Sequence, residues 1–291
     1  MFDGQPSRTA EATAFQRAAE RTQPPRLRIV DDPWAEHFLR PGLRAALAAY
    51  ATSRVAKRAD ELFGLTHFVA VRHRYIDDRM LEALAAGAEQ VVVLGAGYDA
   101  RAFRFADRLE GRPVFELDHP ATQGRKERVL ARLAQRHAPP AVDVRRIPID
   151  FERASFAKRL AKAGFDRTRR TFFAWEGVSM YLTRDAVKTT FATLAEIAPP
   201  GSEVAFDAWF LLDDPDLRAT WHRLSANLLH LLGEPVTFSL HPEDAPAFLA
   251  GLGLELRDVA RAHDLERRYA RRGRRLHVYP ACYLAHARIA A

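Results

Sequence analysis

Gly95 and Gly97, within the stretch VVVLGAGYDARAFR from 91 to 104, are the first residues of this 291-residue chain whose type and spacing point to chemistry. Four apolar residues, three of them β-branched, predict a short buried strand, and Gly-Ala-Gly then turns the backbone before a helical segment that begins near Ala100. A strand, a glycine turn and a helix in that order suit a nucleotide. Glycine adopts dihedrals that a Cβ obstructs, and a ligand can then pack against bare main chain. The turn departs from the dinucleotide fingerprint G-x-G-x-x-G, because Ala100 stands at the third glycine position. The next apolar run, 113–117, leads into Asp118 about 20 residues beyond the turn, where a carboxylate can accept both hydroxyls of a ribose. Glu116, two residues back, shares its face of the strand. A plain strand-end carboxylate is the alternative for Asp118.

Further charged residues stand where packing alone does not explain them. Glu176 follows the apolar run FFAW, and carboxylates are rarely buried without partners. Asp150 ends IPID, where it either faces a ligand or caps the following helix. Histidines 67, 73, 222 and 230 could approach one another in space, but none sits beside an acid in an evident base-plus-orienter arrangement. His67 and His73 lie six apart and match neither zinc-helix spacing, and with Cys282 the only cysteine, no metal and no disulfide within the chain are expected.

The elements that must position these residues are legible as alternation. Strands are predicted at 91–94, 114–117, 142–147, 171–175 and 202–206, with a further pair near 254–259 and 278–286, and helices at 100–108, 121–137, 155–163, 184–197 and 243–250. That order is the signature of an α/β fold: a doubly wound, mostly parallel seven-stranded sheet, Rossmann-like, with helices on both faces. Residues 1–88 read as an N-terminal helical cap. Thr9 is placed to cap a first helix, Asp32-Pro33 to start another, and long helices to cover 43–62 and 65–86. Residues 89–291 read as the core, and an apolar insertion at about 209–240 as either a lid over the ligand edge or a plain core helix.

The chain is 48% hydrophobic, enough for a sizeable core, and no run reaches the length of a membrane span. Its start lacks the basic-then-apolar order of a signal peptide, so a cytoplasmic protein is expected. The net charge of +7 concentrates between Arg261 and His277, where seven arginines face Asp264 and Glu266. No aromatic residues interleave them in a stacking pattern, so a solvated loop is expected there and a nucleic-acid partner is not.

Taken together, TAEATAFQRAAE, DDPWAEHFL, VRHRYIDDRML, VVVLGAGYDARAFRF, VFELDHP, IPIDFE and FAWEGVSMYLT resemble the leucine carboxyl methyltransferase family, especially its bacterial branch, which is similar to polyketide carboxyl methyltransferases. The resemblance implies S-adenosylmethionine as cofactor and a small acidic or aromatic acceptor. It places Gly95 and Gly97 against the methionine part, Asp118 with Glu116 on the ribose, and Asp150 with the Phe151 amide on the adenine edge. Arg72, or Arg74 beside it, matches the arginine that grips the cofactor carboxylate, and Glu176 the glutamate that holds its ammonium. Arg17 matches a basic residue presented by the N-terminal helix, and Tyr181 a tyrosine on the acceptor side. The reaction implied is transfer to a carboxylate oxygen, which is already ionised and requires no base. Methylation of a phenol or alcohol would instead recruit a histidine such as His73. A nicotinamide oxidoreductase and a non-catalytic nucleotide module are the readings from other classes.

Overall fold

The apolar run after Glu89 becomes the central strand. In the computed structural model, which describes residues 6–135, 141–150, 155–210 and 236–291, β1 is Gln90–Leu94. It pairs in parallel with β2 (Val114–Asp118) on one side and β4 (Thr171–Trp175) on the other. β3 (Val144–Pro148) adds to β2, and β5 (Glu203–Trp209) adds to β4, both parallel. The last strand, β7 (Cys282–Ile289), inserts between β5 and β6 (Leu254–Arg261) and runs antiparallel to both. The order is therefore β3-β2-β1-β4-β5-β7-β6, the seven-stranded, mostly parallel sheet expected. All five parallel strands end on one edge. Because β6 is parallel to β5, the connection from 262 to 281 lies on that edge too.

Alternation along the strands divides the core between two faces. Val91, Val93, Phe172, Ala174 and Ala205 face α4 (Leu65–Ala85), which contributes Phe68, Val71, Tyr75, Ile76 and Met80. Val92, Leu94, Phe115, Leu117, Phe173, Trp175 and Phe206 face α7 (Phe156–Lys162) and α8 (Arg184–Ile197), through Phe156, Leu160, Val187, Phe191 and Leu194. α4 is thus a layer of the sheet domain, and residue 88 marks no break in packing. The smaller cluster that caps the sheet edge comes from α1 (Arg8–Glu20) and α2 (Pro41–Thr52), with Phe38 stacked on Tyr98 at 5.2 Å between ring centroids.

Several boundaries differ from the sequence expectation for local reasons. Ser7, not Thr9, caps α1, accepting from the amide of Ala10. The helix expected over 43–62 is two: Ser53 takes extended dihedrals and its hydroxyl caps α3 (Arg54–Phe63), so α2 ends before it. After the glycine turn the helix lasts one turn, α5 (Arg101–Arg104). α6 is Pro120–Ala134, and α9 is Ala245–Ala250. The arginine-rich stretch expected as a solvated loop contains α10 (Ala262–Arg268). Two of its arginines are neutralised by distant acids: Arg268 pairs with Asp258 at 2.6 Å and Arg274 with Glu20 at 2.6 Å. The insertion at 209–240 falls largely on 211–235, outside the described residues.

Candidate active site

α4 carries Arg72, His73 and Asp77 toward the point where β1, β4 and β5 end. His73 and Asp77 share a helix face through their spacing of four, and Arg72 stands on the turn after Phe68, its guanidinium 5.5 Å from that ring. Glu176, immediately after β4, meets them. Arg72 Nε donates to Glu176 Oε1 at 3.0 Å, Arg72 Nη1 donates to Asp207 Oδ2 at 3.2 Å, and His73 Nδ1 lies 3.0 Å from Glu176 Oε2. From the other side, Arg101 Nη2 donates to Glu176 Oε2 at 2.6 Å, Nε donates to Asp77 at 2.7 Å, and Nη1 donates to Asp99. Arg104 completes the set with Asp77 at 2.6 Å.

Burial alone would raise the Glu176 carboxyl, but the His73 ring and the guanidiniums of Arg101 and Arg72 against it outweigh that and hold it well below the usual carboxylate range. Burial, reinforced by Arg101, lowers His73 and keeps the imidazole neutral, so the tautomer that fits the network donates from Nδ1 to Glu176. His73, Asp99 and Glu176 offer atoms all within 4.8 Å of one another, a spacing that could hold a cation. The Arg101 guanidinium stands among them, donating to both carboxylates and to the His73 carbonyl, and takes that place. With His73 neutral, the cluster sets the four carboxylates of Asp77, Asp99, Glu176 and Asp207 against the three guanidiniums of Arg72, Arg101 and Arg104. One negative charge is left over, which favours a cationic ligand.

The ligand side of the cluster is marked by Arg72. Its Nε and Nη1 are engaged, whereas Nη2 donates to none of the described groups. Tyr181, in a short turn after Glu176, is half-buried and near enough to help raise the Arg72 pKa, after Asp207 and Glu176, against the opposing effect of burial. Arg74 points elsewhere, donating to Asp78 at 2.7 Å on the far side of α4, so the geometry favours Arg72 over its neighbour.

Along the same edge, Asp118 Oδ2 accepts from the amide of Gly97, and its Oδ1 accepts from the amide of His119 at 2.5 Å. Burial pushes this carboxyl up to about 6 despite the two amides and Lys126. The amide of Ile149 donates to the Asp118 carbonyl at 2.8 Å, which brings Asp150 to the end of β3 beside it. Phe151 lies outside the described residues. The glycine turn takes positive φ at Gly95 and Gly97, 68° and 46°. A Cβ at Gly95 would meet Val178 at 2.2 Å and one at Gly97 would meet Ala10 at 3.2 Å, so the missing side chains admit neighbouring protein as well as bare backbone.

Three expected residues are placed differently. Glu116 shares the Asp118 face, but its carboxylate is sealed in an ion pair with Lys126 of α6 at 2.8 Å, because a fully buried carboxylate requires a partner. Arg17 is buried against Asp32 at 2.9 Å and donates to the Tyr98 carbonyl at 2.7 Å, so it anchors α1 to the glycine loop. His67 accepts from the amide of His277 at 3.0 Å, and burial lowers its pKa. It ties α4 to the C-terminal segment. His222 and His230 lie outside the described residues. Sequence reasoning missed Asp77, Asp99, Arg101 and Asp207.

A doubly wound sheet whose carboxyl edge holds an acid at the end of β2, another after β3 and a charged cluster after β4 defines a Rossmann-like protein of the methyltransferase class. A solved protein from Streptomyces avermitilis, described as a DUF574 family protein, has the same fold, with a TM-score of 0.62 over 99% of both chains at 16% identity. Residues 10–195 match the profile of the leucine carboxyl methyltransferases, and the chain belongs to that family. It is 37% identical over 199 residues to a protein of Mycobacteroides abscessus, a match covering 68% of this chain and 62% of that one, so it spans less than two thirds of that relative. A Mycobacterium avium protein is 32% identical over 262 residues, covering 85% and 82%. Both relatives carry the name S-adenosyl-L-methionine-dependent methyltransferase.

Proposed function

We propose that this chain transfers the methyl group of S-adenosylmethionine to a carboxylate oxygen of a small-molecule acceptor. The observation that carries this reading is the Nη2 of Arg72, which donates to none of the described groups, beside the ionised Glu176, a cation and an anion set side by side as the methionine zwitterion requires. The donor set fits the cofactor: Arg72 would take its carboxylate, Glu176 its ammonium, Asp118 the ribose hydroxyls and Asp150 the adenine amino group, and the surplus negative charge of the cluster suits a sulfonium. When bound, the cofactor supplies an electrophilic methyl; one C–O bond forms, one C–S bond breaks, and the electron pair remains on sulfur.

This chain's residues then need only align the acceptor, because a carboxylate with a pKa near 4 is ionised at neutral pH. Of the two described histidines weighed as bases, His73 has its Nδ1 held by Glu176 and its Nε2 sealed from solvent, and His67 is bound to the His277 backbone, which supports a reading without a base. Tyr181, close enough to act on Arg72 electrostatically, would meet the acceptor. The product is expected to be a methyl ester that mild alkali cleaves to methanol. Mass analysis before and after alkali reads this, and an alkali-stable methyl ether would move the assignment to a hydroxyl acceptor.

Asp118 gives the cofactor affinity a pH signature. Its native pKa of about 6 lies above the group's ordinary value of 3.8, so the native state takes up its proton first as the pH falls. The group therefore opposes folding above pH 6, and that cost is relieved on acidification. Ribose binding has the opposite requirement, since only the carboxylate accepts both hydroxyls. Affinity for S-adenosylhomocysteine is expected to be flat above about pH 7 and to fall by up to about tenfold per unit below pH 6. The dependence should vanish in Asp118→Asn; a wild-type profile flat to pH 5 would contradict the assignment.

A further inference from the structure

Asp207 is the buried acid that the cofactor reading leaves without a task. It lies on β5, fully buried, within the apolar sequence EVAFDAW. Its two oxygens serve two different elements. Oδ2 accepts from Nη1 of Arg72 on α4 at 3.2 Å, and Oδ1 accepts from the amide of Gly177, the residue after Glu176, at 2.6 Å. Its carbonyl also accepts from the Ser179 hydroxyl at 2.9 Å, so β5 holds the whole loop that carries Glu176.

The consequence is directional. A guanidinium is planar, and fixing two of its nitrogens fixes where the third points. Glu176 takes Nε and Asp207 takes Nη1, which leaves Nη2 as the nitrogen with no acceptor among the described groups. Gly177 leaves room for the guanidinium itself. Its φ is +69°, and a Cβ there would stand 3.1 Å from Nη2, 3.2 Å from Nη1 and 3.4 Å from Cζ.

We propose that Asp207 is a positioning residue for the amino-acid end of the cofactor, holding Arg72 and the Gly177 turn so that Nη2 meets the cofactor carboxylate. The inference rests on the assignment of Arg72 to that carboxylate. Asp207 acts through Arg72 and touches neither the transferred methyl nor the acceptor.

The test compares two probes that share the nucleoside and the thioether: S-adenosylhomocysteine, with the amino-acid arm, and methylthioadenosine, without it. Calorimetric titrations of both into the wild-type protein, Asp207→Ala and the near-isosteric Asp207→Asn separate positioning from general damage. In Asp207→Ala, S-adenosylhomocysteine is expected to bind at least tenfold more weakly while methylthioadenosine stays within twofold. Asp207→Asn, which can still accept from Gly177, should lose less but in the same selective sense, and it carries the comparison if the alanine variant does not fold. Equal losses for both probes, or no loss for either, would overturn the proposal. Failure of the wild-type protein to distinguish the probes would instead overturn the Arg72 assignment beneath it.

Discussion

Replacing Arg101 with methionine is expected to destabilise the folded chain by about 3 to 5 kcal/mol, the cost of breaking a buried ion pair from one side. The side chain is 1% exposed, and its nitrogens donate to Asp77, Asp99 and Glu176, so solvent screens little of the loss. Burial works against the charge, yet the three acids hold the guanidinium protonated far above neutral pH. Methionine fills much of the volume but leaves Asp99 without its closest cation and Asp77 with Arg104 alone. Arg101→Lys restores one charge without the planar fork and should recover only part of the loss. Urea melts read this directly as a lower midpoint at unchanged slope. A change below about 0.5 kcal/mol would mean that the cluster is not the internal frame described here.

Arg72→Ala is expected to weaken binding of S-adenosylhomocysteine by about 2 to 5 kcal/mol, at least about thirtyfold, because it removes the donor proposed to meet the cofactor carboxylate. Arg74→Ala should leave affinity within about twofold, since Arg74 is engaged with Asp78 on the far side of the helix. From sequence alone, Arg72 and Glu176 look like two groups waiting for a ligand, whose removal would spare the free protein. The structure pairs them with each other, and Arg72 with Asp207 as well. The free protein should therefore also melt at lower temperature in Arg72→Ala. Retained affinity in that variant, with loss in Arg74→Ala, would reassign the role.

The strands were legible because buried parallel strands read as short apolar runs, and the acids at their ends were legible because a carboxylate beside such a run has no packing explanation. The same argument marks Asp207 within EVAFDAW, but a strand read as ending at Phe206 places Asp207 in the following loop, where an acid needs no explanation. Arg101 was hidden for another reason. α5 is a single turn, too short for periodicity to show which way its side chains point. The sharing of a strand face by Glu116 and Asp118 was correct arithmetic, yet the partner of Glu116 is Lys126, on the following helix, and a pairing between elements does not show in a strand pattern. The basic stretch misled through net charge, because Arg274 finds Glu20 more than two hundred residues away.

The central claim is that the edge formed by Gly97, Asp118, Glu176 and Arg72 binds S-adenosylmethionine, and calorimetric titration of the wild-type protein with S-adenosylhomocysteine and, separately, with NAD tests it most directly. The account predicts saturable binding of S-adenosylhomocysteine and no comparable affinity for NAD. Tight binding of NAD with no heat from S-adenosylhomocysteine would contradict it.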